Sequence, residues 1–142
     1  MTLIQFLHGG FEKDFQTKLI LAEAGDTLYI PSGKHSILGT LSLDRKANIV
    51  IRGAGMDKSI LSFARQDAGA EGLKILNSEN ITLENFTIED SRGDAIKVQE
   101  TTGITMRKVK AEWTRGPHSD NGAYGLYPVK CSTVFIDSCI AI

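Results

Sequence analysis

An offset of eight residues recurs four times in this chain. Leu41 precedes Ile49 by eight, Leu73 precedes Ile81, Ile96 precedes Ile104, and Leu126 precedes Val134. After each offset the apolar residues alternate: Ile49 and Ile51, Ile81 and Leu83, Ile104 and Met106, Val134 and Ile136. Period-two alternation marks strands with one buried face. Phe86, Val109 and Cys139 continue the inward set after a bend. The repeat spacings are 32, 23 and 30 residues, read from Ile49 through Ile81 and Ile104 to Val134. Such short units, punctuated by Asn48, Asn80 and Gly103, cannot bury an apolar face alone; stacked on copies of themselves they make a continuous core. The chain is therefore expected to be all-β, a right-handed parallel β-helix in which Leu41/Leu73/Ile96/Leu126 and Ile49/Ile81/Ile104/Val134 form inward columns.

The outward positions agree with that register. Arg52, Glu84, Arg107 and Asp137 fall in one column with alternating sign, and neighbouring rungs lie about 4.8 Å apart, close enough to pair. At the other end of the chain, Phe11, Phe15, Leu19 and Ala22 follow helical spacing, which predicts an amphipathic helix ended by Gly25. A solenoid needs a cap over its first rung, and this helix is the candidate. Leu28 and Ile30 then open the first strand. The organisation expected is an N-terminal segment with a capping helix over 1–24 and the first rungs of a β-helix over 25–142. The apolar pattern at Cys139–Ile142 leads to the expectation of a front portion of a longer protein, with self-association through an open last rung.

Composition excludes little. A net charge of -1 gives no global pull toward nucleic acid, and no apolar run reaches membrane-spanning length. Cys131 and Cys139 form neither a disulfide framework nor a zinc spacing. The opening MTLIQFLHGG lacks a basic n-region and a small-residue cleavage site, so no signal peptide is expected there.

The last repeat contains seven extra residues inside TRGPHSDNGAY (114–124), an inserted loop on a regular scaffold, where binding tends to concentrate. A tolerated insertion in a solenoid turn is the alternative. On the repeat register Lys74, Lys97 and Tyr127 form one outward column, and Glu71, Asp94 and Tyr124 the next. Arg92 and Arg115 are 23 apart at the edge of the loop. One face is thus expected to gather Lys74, Lys97, Tyr127, Tyr124, Asp94, Arg115, His118 and Asp120. Trp113, just before the loop, is a sugar-stacking platform or simple packing. Glu89, Glu112 and Asp90 offer stacked carboxylates in which calcium is an alternative to solvated acids. His8 and His35 are given no role, and Gly53 and Gly55 match no complete phosphate-binding fingerprint.

The run AGDTLYIPSGKHSILGTLSLDRKANIVIRGAGMDKSILSF, with the later GDAIKV and GAYGLYPV, resembles the right-handed parallel β-helix proteins of the pectin-lyase-like group over residues 11–142. The resemblance implies a protein of periplasmic or extracellular location that interacts with polysaccharide. Enzymes of that group include lyases and epimerases of uronate polymers. Their chemistry removes a proton beside a carboxylate, which must be neutralised by a cation before a base acts. On that resemblance Arg115 or Lys97 would neutralise, His118 would be the base and Tyr124 would donate from the opposite side. Lys74, Lys97, Asp94, Asp120, Tyr127 and Trp113 would bind substrate, with no obligatory cofactor. Gly116-Pro117-His118-Ser119 keeps the middle two residues of the Asp-Pro-His-Asp motif of mannuronan epimerases. A non-catalytic β-solenoid scaffold or binding protein of the cell envelope is the alternative.

Overall fold

The computed structural model describes residues 2–142, with side chains from residue 10 onward; His8 therefore lies outside the described side chains. The chain begins with α1 (Thr2–Leu21), followed by β1 (Thr27–Ile30), β2 (Gly33–Ser36), β3 (Leu41–Asp44), β4 (Ala47–Gly53) and β5 (Ser59–Ser62). It continues with β6 (Leu73–Leu76), β7 (Glu79–Glu89), β8 (Ile96–Gln99), β9 (Thr102–Glu112), β10 (Leu126–Val129), β11 (Ser132–Asp137) and β12 (Ile140–Ala141). Every strand pairing is parallel and joins equivalent segments of successive repeats. This is a parallel β-helix.

Its turns enclose the core with three walls. The first wall is the four-stranded sheet β3-β6-β8-β10. The second consists of β1, β4, the front halves of β7 and β9, and β11. The third consists of β2, β5, the back halves of β7 and β9, and β12. Between the second and third walls the inward alternation slips by one residue, so that Leu83 and Phe86 both face the core at 0% exposure. Asn85 makes this possible by taking φ 65°, and Lys108 (53°) and Ser138 (56°) repeat the corner on later rungs.

Both inward columns expected from the eight-residue offset are present. Leu41 pairs with Leu73, Leu73 with Ile96 and Ile96 with Leu126; Ile49, Ile81, Ile104 and Val134 stack likewise. The members from Leu41 to Ile104 are fully buried, whereas Val134 on the last rung is 42% exposed. The charged column also forms, through Arg52–Glu84, Glu84–Arg107 and Arg107–Asp137 ion pairs. Cys139 sits half-buried against the core, continuing Phe86 and Val109 as expected.

The helix is a cap, but its end differs from expectation. Phe15, Leu19 and Ala22 are buried, and Phe11 packs on the same core. The last helical residue is Leu21, not one just before Gly25. The reason is Lys46, whose Nζ donates to the carbonyls of Ile20 (2.6 Å) and Ala22 (3.0 Å) and satisfies the helix end from the solenoid side. Gly25, at φ 98°, turns the chain into β1 instead. Gln16 completes the cap. Its side-chain amide donates to the Ser42 carbonyl at 3.0 Å and accepts from the Ser42 N–H at 2.9 Å, standing in for a neighbouring strand. Glu12 accepts the N–H groups of Leu38 and Gly39 at 2.8 and 3.0 Å.

Close approach at one corner explains a glycine. A Cβ on Gly53 would lie 2.2 Å from the Asn85 carbonyl oxygen, 2.8 Å from Ser59 Cβ and 2.9 Å from Phe86 Cβ. Gly53→Ala should therefore destabilise the chain by about 1–3 kcal/mol through overpacking. Gly55→Ala, which would meet only the flexible Lys58 side chain at 3.3 Å, should stay within about 0.5 kcal/mol of wild type. Urea denaturation of the two variants checks the contrast; equal stabilities would show that the corner has room to relax.

Candidate functional site

Two-residue links join the first wall to the second on every rung: 45–46, 77–78, 100–101 and 130–131. Return links from the third wall to the first vary in length, spanning 37–40, 63–72, 90–95 and 113–125. The inserted loop is the longest of these; the corner between the second and third walls also lengthens once, at 54–58.

The loop is tied to itself and to the turn before it. Asp90 accepts from the Thr114 N–H (2.7 Å) and hydroxyl (2.8 Å), fixing the loop entry. Asn121 ties its middle, donating to the Gly116 carbonyl and accepting from Arg115 Nε, both at 2.9 Å. His118 accepts from the Asp120 N–H at 3.1 Å, and its Nδ1 lies 3.8 Å from the Asp120 carboxylate. Trp113 is half-buried, and its Nε1 donates to the Ser91 carbonyl at 2.8 Å. Its indole is thus held by packing and one directed bond, with part of its surface open.

A recess of about 280 Å³ opens beside this loop, lined by Phe63, Asp90, Arg92, Trp113, Arg115 and Asp120 among others. Three expected site residues, Trp113, Arg115 and Asp120, are therefore brought together. None of the recess-lining residues belongs to the outer surface of the first wall.

That outer surface carries the other group. Lys74, Lys97 and Tyr127 stack in register. Tyr124 lies against Tyr127 with ring centroids 4.4 Å apart and planes at 22°, and is 52% exposed. The Tyr124 N–H donates to Asp94 Oδ1 at 3.2 Å. Lys74 has Glu71 at 3.8 Å, whereas Lys97 forms no ion pair among the described residues. The single face expected from the sequence is thus two neighbouring groups, a tyrosine–lysine wall and a loop recess. His118 turns toward its own loop.

The stacked acids on the third wall have separate partners. Glu89 and Glu112 are register neighbours. Lys34 Nζ lies 2.8 Å from Glu89, Lys110 lies 3.1 Å from Glu112 and 2.9 Å from Asp57, and Asp90 is taken up by Thr114. Among the described residues no group of three or more His, Cys, Asp or Glu side chains is placed to hold a metal ion. The calcium alternative has no such cluster to rest on. Phe11 stacks on His35 at 4.1 Å, where the cap meets the first rung, a contact that sequence spacing alone does not disclose.

No family model matches the chain, and no curated protein or solved structure matches it either. Among the described residues, no helix is long and apolar enough to cross a membrane.

The Lys34–Glu89 pair generates a pH prediction. Glu89 is buried while Lys34 is mostly exposed, and the hydrogen bond and charge of Glu89 hold the Lys34 ammonium above its ordinary value. A raised base contributes stability throughout the range below the unfolded lysine value, about 10.4, and that contribution is lost as pH climbs through the folded value. The melting temperature of the wild type should therefore fall more steeply above about pH 10.4 than that of Lys34→Met. At neutral pH, Lys34→Met should melt lower by leaving Glu89 buried and unpaired, and adding Glu89→Gln should restore part of the loss. Identical pH profiles in wild type and Lys34→Met would show the pair contributes nothing.

Proposed function

We propose that this protein is a carbohydrate-binding β-helix of the pectin-lyase-like kind, working in the periplasm or outside the cell on an acidic, uronate-containing polysaccharide. The observation that carries this reading is the exposed Tyr124 ring stacked on Tyr127 beside Lys97, which has no ion-pair partner among the described residues. An aromatic face offers a sugar ring an apolar platform, and an ammonium one rung away offers its carboxylate a partner. The parallel wall sets Lys74, Lys97 and Tyr127 on successive rungs about 4.8 Å apart, a spacing suited to successive units of an extended polymer.

A lyase or epimerase would additionally need Arg115, His118 and Tyr124 to converge on one sugar, Arg115 neutralising the carboxylate and His118 taking the C5 proton. For that, Arg115 would have to leave Asn121 and His118 would have to turn from Asp120. The rival reading, a non-catalytic scaffold of the cell envelope, draws support from the same internal hydrogen bonds, which satisfy the loop without a ligand.

Titration with oligogalacturonate, followed through Trp113 fluorescence and calorimetry, tests the proposal. Lys97→Ala and Arg115→Ala should each weaken binding by about 1–3 kcal/mol, the loss of one charge-assisted contact. If the protein turns substrate over, His118→Ala should lower the rate on the order of a hundredfold or more with little change in binding. Unchanged affinity in both cation variants would leave the scaffold reading standing. Binding with no unsaturated or epimerised product would remove the enzymatic half alone.

Self-association belongs to the same proposal. Val134, Ile136 and Ile140 on the last rung are 42%, 45% and 41% exposed beside unpaired strand edges. The 142-residue chain should associate through this surface with rising concentration. Sedimentation showing a clean monomer at high concentration, without binding of a hydrophobic dye, would refute it.

A further inference from the structure

We propose that the turns leaving the third wall carry a stripe of three arginines, Arg65, Arg92 and Arg115, that grips a linear glycan bearing one oxyanion per rung. This rests on the reading of the protein as a glycan binder, but it concerns a different surface from the tyrosine–lysine wall. Ser62, Glu89 and Glu112 are partners on successive rungs. The pairing continues one residue further: Phe63 N–H donates to the Glu89 carbonyl, Asp90 N–H to the Glu112 carbonyl and Trp113 N–H to the Ile142 carbonyl, at 2.9, 2.9 and 3.1 Å. Two residues beyond those bonds, each of the three turns carries an arginine: Arg65, Arg92 and Arg115. A side-chain bond holds the first two turns together, since the Arg92 N–H donates to Gln66 Oε1 at 3.0 Å. Arg92 and Arg115 both line the recess beside Trp113.

All three arginines are exposed, and among the described residues none is ion-paired. Among the described residues, the single directed contact from any of their guanidinium groups is Arg115 Nε to Asn121. The second wall shows what this chain does when stacked charges serve the fold. There Arg52, Glu84, Arg107 and Asp137 alternate and pair. Arginines on successive turns repel one another, and a ligand with anions spaced along the stack lowers that repulsion. The guanidinium fork matches carboxylate and sulfate oxygens in bidentate fashion. Two carboxylates share the recess and offset part of this charge: Asp90, which accepts from Thr114, and Asp120, 77% exposed, facing His118 and available to accept from sugar hydroxyls.

The test compares wild type with the Arg65→Gln/Arg92→Gln double variant, titrated with polygalacturonate, dextran sulfate and neutral dextran at low and high salt. The first two polymers separate carboxylate from sulfate ester as the anion. The double variant should keep the wild-type circular dichroism and melting temperature, because both side chains are exposed. It should bind its preferred polyanion about tenfold more weakly or worse, with a shallower dependence on salt. Arg65→Lys/Arg92→Lys should recover part of that loss by restoring charge without the fork. Wild-type affinity in the Gln double variant, or an equal loss for neutral dextran, overturns the stripe. Tyr127→Ala separates the two surfaces. If it abolishes binding while the Gln double variant binds normally, the glycan reading survives and the stripe falls. If only the arginine variants lose binding, the stripe holds and the tyrosine wall drops out. A wild type that binds neither polyanion overturns both.

Discussion

Each rung must turn where the rung beneath it turns, and that constraint governs the molecule. In-register parallel pairing leaves little room for drift, so where two rungs pair on both sides of a corner, that corner is made again on the next copy. Here the corners are made by single residues in left-handed conformation. Arg45, Asn77, Glu100 and Lys130 form one such column, and Asn48, Asn80, Gly103 and Thr133 another; Asn85, Lys108 and Ser138 make the third. Asparagine and glycine accept this conformation readily, whereas most other side chains resist it by roughly 1–2 kcal/mol. Positions such as Glu100 and Thr133 therefore hold their shape because the stacked core over-determines it. Two corners also gain from side chains: Asn80 donates to Asn48 at 2.7 Å and Asn77 to Asp44 at 3.1 Å.

Once the corners repeat, the rest follows from burial. Inward positions lose their choice of residue and become columns of Leu, Ile, Val and Phe. Outward positions become columns too, and there the sign of a charge matters, because its neighbours sit on the adjacent rungs. The N-terminal rung has no strand below it. The helix supplies substitutes, an amide from Gln16 for a strand and a carboxylate from Glu12 for two loose N–H groups, with Lys46 returning the favour to the helix end.

Much of this was legible in the sequence for a simple reason: buried columns repeat at fixed offsets, and alternation exposes them. The segments that escaped are polar on the residues one reads. β2 is Gly-Lys-His-Ser, and its membership in the third wall depends on pairing with Ser59–Ser62, which no local pattern announces. Contacts of the cap span 24–27 residues and rest on polar side chains, so they leave no periodic trace. Candidate site residues were legible as columns but not as a site. The register correctly stacked Lys74, Lys97 and Tyr127, while Arg115 and His118 were placed by loop hydrogen bonds that spacing cannot encode. Arg65 was hidden by the irregular first repeat, where its spacing to Arg92 is 27 rather than 23.

The unequal return links have a consequence for how such a protein can change. The links 63–72, 90–95 and 113–125 all leave the same corner, while the opposite corner keeps two residues on every rung. Added chain at the variable corner disturbs no stacked column and costs only closure entropy, about 0.6 kcal/mol for each doubling of loop length. The same addition at the invariant corner would displace the left-handed residue and put every later strand out of step. Evolution and protein engineering thus meet the same asymmetry: one edge of the solenoid is a margin open to new text, and the other is its binding.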